Sequence, residues 1–128
     1  MGKFSFGKGE KLKKEKDIKE LFDKGSSFYL FPFRVLALKA AGAESQVNQV
    51  LISVSKRNFK KATERNRIKR QIREAYRLNK HLLTTGHRSH IGFIYSHKEI
   101  LTTREISDKM VHVLKRLDKW ASAQAGSS

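Results

Sequence analysis

The sequence predicts a single small α+β domain in which a central, mostly antiparallel β-sheet packs with about three α-helices. Three observations lead there. Branched and aromatic residues run in strand-length stretches through Phe28–Ala40, Val47–Val54 and Ile91–Tyr95. Apolar residues recur at helical spacing in three other places, around Ile18, Ile72 and Met110. The two kinds of segment follow one another as α-β-β-(β)-α-β-α, without the regular alternation of a parallel α/β sheet.

The 128 residues suffice for one core, placed at residues 15–121. Residues 1–14 are basic and contain glycine, which predicts a flexible arm able to order on a polyanion. Residues 122–128 are small and polar and predict a disordered tail. Neither an internal repeat nor an interdomain linker is visible.

The first helix spans Glu15 to Lys24. Ile18, Leu21 and Phe22 fall on one side, Asp17 suits its N-terminal end, and Gly25 is placed in the left-handed position beyond its C-terminus. Phe28–Ala40 alternates Phe33, Val35 and Ala37 with Arg34, Leu36 and Leu38. Pro32 cannot donate to a ladder, so that strand starts after it or lies at an edge there. Ala41–Gln46, with Gly42, reads as a hairpin connection to the next strand, Val47–Val54. Within it, Val50, Leu51 and Ile52 put apolar side chains on both faces, which calls for cover on each side. Thr84–His90 is a polar loop, and Gly92 in the strand after it permits a close backbone approach. Thr102 and Glu105 form a capping box for a final helix that repeats Ile106, Met110, Val113, Leu114, Leu117 and Ala121.

The segment Ser53–Lys80, SVSKRNFKKATERNRIKRQIREAYRLNK, carries the functional signal. At about 100° per residue, Ile68, Ile72, Ala75 and Tyr76 share one arc, with Leu78 at its margin. Asn66, Lys69, Arg70, Arg73 and Arg77 share the next arc, a row of donors suited to a nucleic-acid backbone. Glu64 and Glu74 are the only acids here, too few to pair with these cations. Arginine adds planar, multi-donor recognition of phosphate. Over the whole chain, 28 Lys and Arg against 12 Asp and Glu give a net charge of +16, a self-repulsion that a polyanion relieves. The charge is spread from Lys3 to Lys119, which suits a large polyanion better than a membrane surface.

Catalytic signals are missing. There is no cysteine, so thiolate zinc sites, disulfides and cysteine nucleophiles are excluded. Glu15, Asp17, Glu20 and Asp23 are dispersed among lysines as ion-pair partners, not gathered to hold metal. His87 and His90 share a loop without further ligands, and His81, His97 and His112 stand apart. No signal-peptide or membrane-spanning pattern is present, and the expectation is a cytoplasmic protein with no membrane partner.

The run SVSKRNFKKATERNRIKRQIREAY closely resembles the signature of the bacterial ribonuclease P protein component, with Arg65-Asn66-Arg67-Ile68-Lys69-Arg70 and Arg73-Glu74 as its centre. The order of elements agrees along nearly the whole chain. The resemblance implies a ribosomal-protein S5 domain 2-like topology with a left-handed βαβ crossover, where the usual hand is right. It implies a ribonucleoprotein that removes the 5′ leader of precursor tRNA, with the chemistry in the RNA and no catalytic residue in the protein. Arg65, Asn66, Arg67, Lys69, Arg70 and Arg73 would then contact ribonuclease P RNA. Lys56, Arg57, Lys60 and Lys61 of the preceding basic loop, and Arg77, join them as phosphate contacts. Ile18, Phe22 and Leu36 would line a cleft for the single-stranded leader. Ile18 and Leu36 stand where some members carry aromatics, so apolar contact replaces stacking there. Lys56–Glu64 also lacks the glycine of some members. Mg²⁺ would be bound mainly by the RNA, with Asn66 near one such ion, and the protein would be a monomer in a 1:1 complex with the RNA.

Two other functions fit parts of the sequence. A ribosomal-type protein or general RNA chaperone would share the basic surface. An autonomous nuclease would need the carboxylate cluster that the sequence lacks.

Overall fold

Four strands and three helices make up the fold in the computed structural model, which describes residues 10–40, 48–84 and 88–126. They run α1 (Glu15–Lys24), β1 (Ser26–Leu30), β2 (Phe33–Lys39), β3 (Gln49–Val54), α2 (Ala62–Asn79), β4 (Ser89–Tyr95) and α3 (Thr103–Gly126). The strands form one sheet in the order β1-β2-β4-β3. β1 and β2 pair antiparallel, as do β2 and β4, while β3 runs parallel to β4.

Two strand expectations are corrected. β2 does begin at Phe33, directly after Pro32, as one of the two expected alternatives had it. The residues before the proline, however, form a further strand, so Phe28–Ala40 spans the two arms of a hairpin, β1 and β2, folded at Phe31-Pro32, whose peptide bond is cis. Proline has no N–H for the ladder, so the break falls where the chain cannot pair. Nor do β2 and β3 form a hairpin, because β4 lies between them. Parallel neighbours need a long crossover, and α2 supplies it between β3 and β4. The connection proposed at Ala41–Gln46 lies outside the described residues.

Alternation along the strands sorts side chains onto two faces. Phe33, Val35, Ile91, Phe93, Tyr95 and Val50 meet Ile68, Ile72 and Tyr76 of α2 and Ile106, Met110 and Leu114 of α3 in the main core. The other face carries a small cluster of Leu12, Leu21 and Leu36, against which Ile18, Leu38, Leu51 and Ile94 pack. The expected two-sided cover of Val50, Leu51 and Ile52 is thereby found. Helix α1 lies close on the sheet: a Cβ on Gly92 would stand 3.4 Å from Leu21 Cδ2. Gly25 is extended (φ −67°, ψ 151°), not left-handed as expected. A side chain is excluded there by contact, since a Cβ would meet the Leu21 carbonyl oxygen at 2.4 Å.

Described structure continues on both sides of residues 15–121. Of the arm assigned to residues 1–14, residues 1–9 lie outside the described residues, but the next ones dock on β3. Leu12 is buried and its N–H donates to the Val50 carbonyl at 3.0 Å, while Lys11 bridges Val50 in parallel. Glu10 receives two bonds from Lys80 Nζ, at 2.8 and 2.9 Å, across 70 residues of sequence. At the other end α3 continues to Gly126. Alanines at 121, 123 and 125 favour helix, which the expected tail from residue 122 overlooked. The Thr102 cap is as expected, with Glu105 N–H donating to Thr102 Oγ1 at 3.1 Å.

Tyr76 gives this core a pH limit. Burial pushes its hydroxyl well above the ordinary tyrosine value, the Glu10 carboxylate adds to the rise, and a hydrogen bond with Asn48 opposes it. In the unfolded chain the proton leaves near pH 10. The neutral side chain's contribution is therefore fully present below about pH 10 and is lost as pH climbs through the folded value. Urea unfolding across that range should show stability falling, with Tyr76→Phe removing up to about 1.4 kcal/mol per pH unit of the slope. An unchanged slope would mean that Tyr76 ionises as readily folded as unfolded.

Candidate nucleic-acid interface

Helix α2 buries Ile68, Gln71, Ile72, Ala75 and Tyr76. Its opposite side exposes Asn66, Arg67, Arg70 and Arg73, with Lys69 and Arg77 partly exposed. One member of this row is engaged: Arg77 donates to Glu74 at 2.6 and 3.1 Å. That bond, with the Arg77 and Arg73 charges, holds the Glu74 carboxyl below its usual range. Among the described residues, Arg67, Lys69, Arg70 and Arg73 form no salt bridge. Four cations on one helix side, none of them salt-bridged to a carboxylate, repel one another unless an anion intervenes.

Two α2 residues serve the protein itself. Gln71 Nε2 donates to the Leu101 carbonyl at 3.1 Å and to Thr103 Oγ1 at 3.2 Å, tying α2 to the start of α3. It sits one position before Ile72 and near Ala75 on the wheel, a placement that marks it as inward-facing. Arg65, grouped by resemblance with the RNA contacts, donates through Nη1 to the carbonyls of Phe59 (2.8 Å) and Lys60 (2.9 Å). On the wheel Arg65 falls between Ile72 and Tyr76, toward the core side. It closes the preceding loop onto the helix.

That loop, Ser55–Lys61, is held from inside. Phe59 is buried and its ring centroid lies 6.0 Å from that of Tyr95. With Phe59 as anchor, Lys56, Arg57, Lys60 and Lys61 are all exposed, and they extend the cationic surface of α2 toward the end of the sheet. Sequence reading took this stretch as a basic linker and missed the anchor; the one aromatic among its cations was the available sign.

The sheet face next to α1 offers a second surface. Strand register lines up Tyr29, Arg34, Ile94 and Ser53 in one row across all four strands. Tyr29 and Arg34 are exposed and Ile94 and Ser53 half-buried. Phe22 on α1 is 48% exposed. Of the three residues expected in a leader cleft, Phe22 is therefore accessible and Ile18 half-buried against the small cluster. Leu36, expected to line the cleft, is instead 2% exposed and lies with Leu21 and Leu12 as core. Two residues away in β2, Arg34 is exposed on the same face. An aromatic, a guanidinium and an aliphatic side chain in a row make a surface for unpaired bases and their phosphates.

No group of three or more His, Asp or Glu side chains among the described residues could hold a metal ion. His87 lies outside the described residues, so its pairing with His90 has no structural account. No described helix is long and apolar enough to cross a membrane.

A protein-family profile described as Ribonuclease P matches residues 6–118. This chain belongs to the Ribonuclease P family. Among its relatives, the ribonuclease P protein component of Desulforapulum autotrophicum is 34% identical over 117 residues, covering 91% of this chain and 96% of that one. The component from Porphyromonas gingivalis is 41% identical over 80 residues, 62% of this chain and 58% of its own length. The chain thus spans little more than half of that relative. Solved ribonuclease P proteins share the fold. The Staphylococcus aureus protein superposes with a TM-score of 0.71 at 30% identity, over 84% of this chain and 94% of its own. The Thermotoga maritima protein gives 0.70 at 29%, over 84% and 96%. The four-stranded mixed sheet and three helices are the architecture of bacterial ribonuclease P proteins.

Proposed function

We propose that this chain is the protein subunit of a cytoplasmic ribonuclease P, binding the enzyme's RNA subunit and the single-stranded 5′ leader of precursor tRNA as a monomer in a 1:1 complex. The observation that carries the reading is the division of α2, whose apolar side is fixed in the core while Arg67, Lys69, Arg70 and Arg73 stand outside it without a carboxylate. That helix would seat the RNA subunit, with Lys56, Arg57, Lys60 and Lys61 prolonging the contact and Arg65 shaping the loop that presents them. Asn66 and Arg77 flank the same row.

Phe22 and the row Tyr29, Arg34, Ile94 and Ser53 form the leader surface, with Ile18 supporting it from α1. Cleavage chemistry belongs to the RNA. Magnesium prefers oxygen ligands in octahedral geometry and keeps several waters, a demand that RNA phosphates meet. The described side chains offer no such cage, and the protein's part is to let phosphates crowd together where the ions bind. The exposed Asn66 amide offers a neutral oxygen beside the cationic row.

The test compares precursor with mature tRNA, each bound to the complex of RNA subunit and protein. Phe22→Ala and Tyr29→Ala should each weaken precursor binding by about 1–3 kcal/mol and leave mature tRNA unaffected. Equal losses on both would remove the leader assignment and favour a general RNA-binding module.

A further inference from the structure

One end of the sheet gathers three loops. Leu30 pairs with Phe33, Phe33 with Tyr95, and Tyr95 with Val54, so the β1–β2 turn, the segment after β4 and the basic loop after β3 all emerge together. Tyr95 is the hub. Its hydroxyl donates to the Glu99 carbonyl at 2.6 Å and accepts from Leu101 N–H at 3.3 Å, which curls residues 96–101 around it. Its ring also meets Phe59, the anchor of the basic loop. The turn is pinned separately, by the N–H and hydroxyl of Ser96 donating to the Pro32 carbonyl at 3.0 and 3.3 Å.

On this framework stands a ring pair outside both surfaces described above, with Phe31 exposed and His97 half-buried. Phe31 and His97 meet edge to face, with centroids 4.8 Å apart and planes at 73°. Such a contact covers a face of only one of the two rings, and His97 also meets Tyr95 edge to face with centroids 6.4 Å apart. Phe31 remains 40% exposed at the turn, although the Ser96 bonds already hold that turn closed. Lys98 is exposed on the residue after His97, and Lys56, Arg57 and Lys60 are exposed on the loop packed against Tyr95. Glu99 is the only acid in residues 96–101, and residues 55–61 contain none.

An exposed aromatic ring with cations on the adjoining loops suits an unpaired nucleotide: the base stacks on the ring and its phosphates meet the cations. A protein partner would have to bring acidic groups around an apolar centre, whereas one nucleotide supplies both within a few ångströms. We infer that the Phe31–His97 pair is an RNA-binding site of its own, taking one unpaired base, with adjacent phosphates on Lys98 and on Arg57 or Lys60. The inference rests on the proposed function only for which RNA supplies the base, the precursor tRNA or the RNA subunit.

The test uses the full chain with Phe31→Leu, Phe31→Tyr and His97→Ala variants. Dissociation constants are measured for the RNA subunit, for precursor and mature tRNA bound to the reconstituted complex, and for a single-stranded oligouridine with protein alone. Phe31→Leu should weaken at least one of these by roughly five- to a hundredfold, and Phe31→Tyr should restore it, at an unchanged melting temperature. A loss confined to precursor tRNA assigns the base to the substrate; a loss on the RNA subunit assigns it there. If Phe31→Leu disturbs folding, His97→Ala, outside the turn, carries the comparison. Wild-type affinity of both variants for every RNA, oligouridine included, would overturn the site. Failure of the wild-type protein to bind the RNA subunit would instead overturn the proposed function, and oligouridine would still decide the ring pair.

Discussion

Replacing Arg67, Arg70 and Arg73 together by alanine should weaken binding to ribonuclease P RNA about a hundredfold at about 0.15 M salt, with the fold intact. All three are exposed and none forms a salt bridge, so their removal leaves no buried group unpaired. Alanine is the best helix former and relieves mutual repulsion, which keeps α2 folded. Each phosphate contact contributes about 0.7–0.9 to the log–log salt slope, so the triple variant should flatten it by about 2–3 units. Extrapolated to about 1 M salt, wild-type and variant affinities should converge. Arg77→Ala is the internal comparison. Arg77 is already bound to Glu74, so its loss removes a cation and releases a carboxylate, and the slope should change least there. A triple variant with an unchanged slope would take this side of α2 off the RNA.

Phe93→Ala should cost about 3–5 kcal/mol of stability. Phe93 is fully buried, with ring centroids 6.2 Å from Phe33 and 5.8 Å from Tyr76, so it joins the central strands to the helix that bears the cations. A small domain has about 5–15 kcal/mol in all, so this one truncation removes a large part of it. The neighbouring Ile94→Ala faces the α1 side and is half-buried. It should cost much less stability. Urea denaturation of the two variants is the check. Similar midpoints would mean that β4 does not divide the two faces as its register indicates.

The core side of α2 was legible in the sequence because periodicity reports a face directly: Ile68, Ile72, Ala75 and Tyr76 are buried as their spacing required. Helix α1 begins and ends where its pattern placed it. Strand neighbours were not legible in the same way. Alternation tells which residues share a face, but β4 enters between β2 and β3 through contacts far apart in sequence. Leu36 shows the consequence for function. Its face was read correctly, yet whether that face is open depends on where α1 and Leu12 come to rest. The Glu10–Lys80 pair, 70 residues apart, left no local trace. Arg65 did leave one, since its place on the wheel beside the core residues foretold a structural bond that the family motif alone obscured.

The most direct test of the account is precursor-tRNA cleavage at low Mg²⁺ with protein alone, ribonuclease P RNA alone, and the two together, mapping the cut site. The account predicts no cleavage by the protein alone and a strong gain in the mixture, with the cut at the mature 5′ end. Cleavage by the RNA-free protein, or a mixture no more active than the RNA although the two bind, would contradict it.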